Sequence, residues 1–159
     1  MRRKDREVKD PDQIEAILSA AKICRLGIHD PAASAPYVVP LNYGYEWLNG
    51  KGGTLRLVFH GAQAGRKYDL LQANPCVGFE LDASHTLISG DTACQYGASF
   101  QSVIGSGVVR FLEEETEKRQ AIDLLMLCQA GKTVPIENDI LRKTAVFELI
   151  AGEYSAKAR

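Results

Sequence analysis

Apolar residues recur along this chain in two rhythms. In "DPDQIEAILSAAK", Ile14, Ile17, Leu18 and Ala21 fall three and four apart, the spacing of one helix face. Asp10 is placed to cap that helix, Pro11 suits its first position, and Gln13 completes a capping box. The rhythm then shortens to that of strands, over 23–30 ("ICRLGIHD"), 37–47 ("YVVPLNYGYEW") and 54–60 ("TLRLVFH"). In the last of these, Leu55, Leu57 and Phe59 face one way, and Arg56, Val58 and His60 the other. "DPAASAP" separates the first two strands as a turn. Pro40 limits the second to a bulge or an edge position, and "LNGKGG" supplies an Asn-Gly hairpin loop. The pattern next predicts a short helix over 64–73, a strand over 76–82 and a polar loop over 83–95. A long strand over 99–114 carries Gly105 and Gly107 as a bend. A helix over 115–131 turns Ile122, Leu125 and Met126 inward and ends on Gly131. A strand from Thr144 and a short tail follow.

The order is helix, three strands, helix, two strands, helix, strand. Hairpin-length connections between strands favour an antiparallel barrel with flanking helices, mainly β with α, over a doubly wound parallel sheet. With 159 residues and no internal repeat or dividing linker, the expectation is one domain over 1–159.

Composition narrows the function classes. Net charge is −1, so no overall basic field speaks for nucleic acid, and no polybasic tract speaks for a membrane surface. The start, "MRRKDRE", interleaves Arg2, Arg3 and Lys4 with acid and reads as a solvated arm. No run reaches the roughly eighteen apolar residues of a membrane span, and no apolar leader segment is visible. The four cysteines, Cys24, Cys76, Cys94 and Cys128, have no metal-ligand or disulfide spacing. Reduced thiols and a cytoplasmic protein are expected, with Cys24 and Cys76 packing as small hydrophobes.

The candidate chemistry lies in "FHGAQAGRKYDLL". A strand enters a glycine-flanked turn, and the following helix begins with Arg66 and Lys67. Cations at a helix start oppose the macrodipole, which favours anions there by about 0.3–1 kcal/mol per charge. A bound phosphate would reverse that balance: free N–H groups at the helix start form an anion site. Gly61 and Gly65 allow close backbone approach, Arg66 can fork onto phosphate oxygens, and Lys67 adds a point charge. The plain alternative is a surface helix with two solvated basic residues and Asp69 nearby. One strand earlier, "VVPLNYGYE" offers backbone groups able to hydrogen-bond the rim of a flat heterocycle, or is simply a bulged barrel strand.

Taken in order, "MRRKDREV", "VPLNYGYE", "FHGAQAGRK" and "SVIGSG" resemble the flavin-binding split-barrel proteins related to pyridoxamine 5'-phosphate oxidase, and within them the nitroimidazole-resistance branch. The resemblance spans nearly the whole chain. It implies a six-stranded antiparallel split barrel, a homodimer, and FMN in clefts at the subunit interface. It places the FMN phosphate on the turn formed by His60, Gly61, Ala62, Gly65, Arg66 and Lys67, with backbone N–H groups replacing the hydroxyl residues the oxidases carry where Gly61 and Gly65 stand. Val39, Pro40, Leu41 and Asn42 match the strand lining the isoalloxazine, and Ser102 matches a polar position reaching the flavin from the partner subunit. The oxidases' substrate-binding C-terminal extension has no counterpart after "GEYSAKAR", so pyridoxamine phosphate oxidation is not expected.

His60 is the candidate catalytic residue, as proton donor, substrate-orienting group or haem ligand. The alternative is a histidine that only shapes the cleft. His29 and His85 are expected to be structural or solvated, and no metal site is expected. Three functions follow from the resemblance: an FMN-dependent oxidoreductase acting on a small electron-poor acceptor such as a nitroaromatic, a non-catalytic flavin-binding or storage module, and a haem-binding member.

Overall fold

The computed structural model describes residues 3–159. Arg2 of the basic arm lies outside them. Arg3 pairs with Asp5 at 2.7 Å, and Lys4–Arg6 form one 3-10 turn before the short strand β1 (Glu7–Val8). The elements that follow are α1 (Pro11–Ala20), β2 (Cys24–Ile28), β3 (Tyr37–Leu41), β4 (Gly44–Leu48), β5 (Thr54–Ala62) and α2 (Arg66–Ala73). They continue with β6 (Cys76–Ile88), β7 (Gly97–Phe111), α3 (Glu115–Ala130), α4 (Asn138–Lys143) and β8 (Thr144–Ala158).

All pairings are antiparallel, in the order β3-β2-β6-β7-β8-β5-β4, with β1 beside β8. The sheet therefore has eight strands rather than six. One addition is β1. The other comes from residues 37–47, expected as one strand, which break at Asn42 and Tyr43. Up to Leu41 the run pairs with β2, and from Gly44 it pairs with β5. Three residues span at most about 11 Å, so the two ends of the sheet must curl until they meet, which closes the split barrel. Tyr43 holds the break: it is 1% exposed, and its hydroxyl donates to the Leu18 carbonyl of α1 at 2.7 Å. Burial raises its pKa. Pro40 lies on β3 at the end of the sheet, where a missing N–H is tolerated. In the β4–β5 loop, Asn49 and Gly50 both have positive φ, 62° and 92°, as a tight hairpin turn requires.

The barrel interior takes the alternate residues of β2, β5, β6, β7 and β8, including Leu26, Leu57, Phe59, Leu81, Val103 and Phe147, together with Ile14, Ile17 and Leu18 of α1. The Asp10 carboxylate caps α1 by accepting from the Asp12 N–H. A second, smaller core lies on the opposite face of β5 and β8, where Val58 and Val146 meet Ala121, Ile122 and Leu125 of α3 and Leu141 of α4. Burial on both sides explains why β5 does not alternate cleanly between apolar and polar positions.

Other differences from the expected elements are local. Strand β6 continues to Ile88 through an irregularity between Ala83 and Thr86, into a segment read as loop. The final residues extend β8 to Ala158 instead of forming a tail. Helix α4 was not anticipated. Cys24 is fully buried, which pushes its thiol up to about 12, but Cys76 is exposed and does not pack as a core residue. Among the described residues, no helix is long and apolar enough to cross a membrane.

Candidate functional site

The strand period decides where the end of β5 aims its side chains. Phe59 faces the barrel core, so Gly61 shares that side and His60 faces the other. The chain then turns through Gln63, Ala64 and Gly65. Gly65 has a φ of 99°, a conformation costly for any residue with a Cβ. It is the N-cap of α2 and supplies no side chain to cap the helix. The first intrahelical bond runs from the Asp69 N–H to the Gly65 carbonyl at 3.1 Å. The preceding N–H groups of Arg66, Lys67 and Tyr68 have no intrahelical partner.

Arg66 is held by an anion within the fold. Its Nε and Nη2 donate to Asp30 Oδ2 at 3.0 and 2.6 Å, and its guanidinium lies 4.6 Å from the Tyr37 ring centroid. Asp30 is 7% exposed, and its Oδ1 accepts from the Ala32 N–H at 2.9 Å. The guanidinium, followed by that N–H, holds the Asp30 carboxyl below the usual carboxylate range. Thus a built-in carboxylate offsets one of the two cations at the helix start. Nη1 of Arg66 is not engaged by Asp30.

Lys67 stands differently. Among the described residues it has no carboxylate within ion-pair distance. Its Nζ lies 5.7 Å from the Phe147 ring centroid, and burial lowers its pKa. A Cβ on Gly61 would come within 2.7 Å of that Nζ, so the glycine leaves room for the ammonium group. His60 is exposed. Partial burial, then the charge of Lys67, lowers its pKa. Gln63 fixes the turn from behind, donating to the Arg142 and Thr144 carbonyls at 2.7 and 3.3 Å.

The fold thus brings together His60, Gly61, Ala62, Gly65, Arg66 and Lys67. Val39 lies on the same strand as Tyr37, only ~7 Å along it. Val39 and Leu41 turn inward and pack against the barrel core, whereas Pro40 is exposed. Asn42 is ~17 Å along from Tyr37, and its amide donates to the Lys22 carbonyl. Ser102 is not at the turn within one chain. It aligns with Asp82 and Lys157, ~16 Å along β7 from Gly107, the residue level with Val77 and hence with the end of β2. His29 and His85 are exposed.

Sequence reasoning did not find Asp30, Tyr37 or Gln63. The Asp-Pro turn did hint that the Asp30 side chain bonds its own backbone. Nothing in the sequence pairs Asp30 with a residue 36 positions away.

A family model described as pyridoxamine 5'-phosphate oxidase matches residues 10–158. Comparison with curated proteins finds no match. Among solved structures, a protein provisionally named as a 5-nitroimidazole antibiotic resistance protein, from Bacteroides thetaiotaomicron, is 30% identical, with 96% of this chain and 86% of that one covered and a TM-score of 0.81. The flavocytochrome Anf3 from Azotobacter vinelandii is 22% identical, with 100% and 72% covered and a TM-score of 0.78. An FAD and heme binding protein from Mycobacterium smegmatis is 14% identical, with 96% and 73% covered and the same TM-score of 0.78.

Proposed function

Because this chain belongs to the pyridoxamine 5'-phosphate oxidase family, we propose that it binds FMN as a homodimer and acts as a flavin-dependent oxidoreductase on a small electron-poor acceptor such as a nitroaromatic. The observation that carries this reading is the prepared anion cradle at the start of α2. Asp30 and Tyr37 fix Arg66 through Nε and Nη2 and not through Nη1, Lys67 has no carboxylate partner among the described residues, and Gly61 and Gly65 keep the backbone bare. A phosphate monoester fits that donor set in charge and in number of donors.

A bound flavin would supply the electron transfer, and the chain's task is to hold and tune it. Arg66 and Lys67 would anchor the phosphate, with the free N–H groups of α2 completing the contact. Val39, Pro40 and Leu41 at the end of β3, with Asn42 just after it, would line the ring. His60 can give up a proton from its imidazolium form, or orient a substrate acceptor atom through an imidazole N–H. The dimer reading rests on an exposed apolar face of the sheet. Val38, Ile104 and Val108 are 57%, 45% and 53% exposed there, on the same side as Ser102 by strand alternation. A second subunit on this face would bring the partner subunit's Ser102 to the flavin.

The test is to titrate FMN into purified protein, following quenched flavin emission, and then to measure NAD(P)H turnover with nitroimidazoles. Stoichiometric quenching with turnover is expected. Binding without turnover across a panel of acceptors would reduce the protein to a flavin-binding module. A haem Soret band lost in His60→Ala would instead favour haem binding.

A further inference from the structure

The carboxylates along the first turns of α3 and on the strand beneath it have arginine partners. Glu115 pairs with Arg142 at 3.2 Å, and Glu117 with Arg110 at 3.0 Å. The buried Glu148 of β8 takes Arg110 at 2.7 Å and Arg56 at 2.6 Å. Lys118, on the same helix, has no such partner. It is 7% exposed, and among the described residues no carboxylate lies within ion-pair distance of it. Glu113 and Glu114, just before it in the chain, are exposed. Its Nζ donates to the Thr144 carbonyl at 3.4 Å, longer than an ordinary hydrogen bond, and an ammonium group carries three donors. Lysine is almost never buried to this degree unless it is paired.

Lys118 lines a cavity of about 30 Å³ together with Gln63, Tyr68, Phe111, Leu112 and Glu113. We propose that this cavity binds one small monovalent anion, the size of chloride, against the Lys118 ammonium group. The volume admits a particle about as large as a water molecule. The Tyr68 and Phe111 rings pack with their centroids 4.8 Å apart and, with the buried Leu112, give the cavity apolar walls, so attraction between opposite charges is weakly screened there. An anion offsets a charge that the fold has taken out of water without pairing it, and it accepts from the donors that Thr144 does not engage. The Glu113 side chain is exposed, so its carboxylate stays hydrated rather than filling the same place. The cavity also touches the turn before α2: Gln63 donates to the Thr144 carbonyl at 3.3 Å, the acceptor that Lys118 uses. The ion and the turn are thereby joined through one carbonyl oxygen.

The probe is chloride, titrated as its sodium salt into the protein as purified, with sodium gluconate at equal ionic strength as the reference. In proton–nitrogen NMR spectra the Gln63 side-chain amide and the Lys118 backbone amide should shift saturably with chloride and not with gluconate. The side chain of Gln13, exposed on α1, should move with neither. Equal shifts in both salts, or none at Gln63 and Lys118, would overturn the proposal. Lys118→Met, which keeps the side chain's bulk and removes its charge, should abolish the chloride-specific shifts. Lys67→Ala separates this site from the start of α2: the shifts should survive it. Shifts that persist in Lys118→Met and vanish in Lys67→Ala would place the ion at the α2 turn and refute the site. Crystals of the unaltered protein grown in sodium bromide give a reading that needs no variant to fold. An anomalous bromide peak in contact with Lys118 Nζ is expected, and density for water alone at that position would refute the anion site.

Discussion

Gly44→Ala tests how α3 is seated. Gly44 opens β4 directly beneath that helix. A Cβ there would lie 2.6 Å from Leu125 Cα, 2.7 Å from Leu125 N and 3.0 Å from Leu124 C. All three are helix backbone atoms, so no side chain can swing aside, and ordinary contact begins at 3.4 Å. The helix must retreat by roughly 1 Å, and overpacking of this kind costs about 1–3 kcal/mol. For a chain of this size each kcal/mol shifts Tm by about 2–4 °C, so the loss should be roughly 2–12 °C. Gly152→Ala is the control. It is also a strand glycine, but a Cβ there meets nothing within 4 Å, so Tm should hold or rise by about 1–4 °C, since glycine in a strand costs about 0.5–1 kcal/mol against alanine. Calorimetric melting of both variants decides the matter. A Gly44→Ala Tm within a degree of the parent's would show that the helix floats on the sheet. Equal losses in both variants would show a general sensitivity to glycine replacement.

Four further outcomes are expected. Lys67→Ala should weaken FMN binding by about 10- to 150-fold, the range for losing one charged hydrogen bond, measured by fluorescence quenching; Gly61→Ala, which crowds the Lys67 ammonium group, should weaken it in the same direction with little change in Tm. In NMR titrations the His60 midpoint should lie below the ordinary histidine value and rise in Lys67→Gln without fully recovering, because burial is the larger cause; a midpoint unmoved by that variant would remove the coupling. Since this folded-state value is depressed, the unfolded chain takes up its proton first: stability should fall as pH drops from about 6.5 through the folded value, and His60→Gln should flatten that slope. Ile104→Glu should convert a dimer to monomers in sedimentation and release flavin in parallel; a parent protein sedimenting as a monomer with flavin bound would refute the interface.

The elements most legible in the sequence were those whose apolar period matched one environment. Helix α1 buries one stripe, and its capping aspartate and N1 proline were readable from local chemistry alone. The turn carrying Arg66 and Lys67 was legible because its oddity is local, two cations at the end of a helix that disfavours them. What escaped depends on distant partners. Asp30 meets Arg66 only because α2 folds back over the end of β2. The break at Asn42 and Tyr43 exists because two ends of one sheet must meet, a constraint with no local period. Helix α4 escaped for another reason: a six-residue helix with one buried leucine, Leu141, leaves almost no pattern to read.

The position of β8 governs how the molecule can be assembled. It is the last element of the chain, yet it lies between β5 and β7 and also pairs with β1. A nascent chain lacking residues 144–158 leaves the inner edges of β5 and β7 open, each a template for pairing with another polypeptide. Closure must wait for the most distant segment, which makes folding slow and exposes the half-made sheet to aggregation in the interval. Synthesis rate and chaperone supply, more than the stability of the finished barrel, should therefore set how much usable protein a cell obtains.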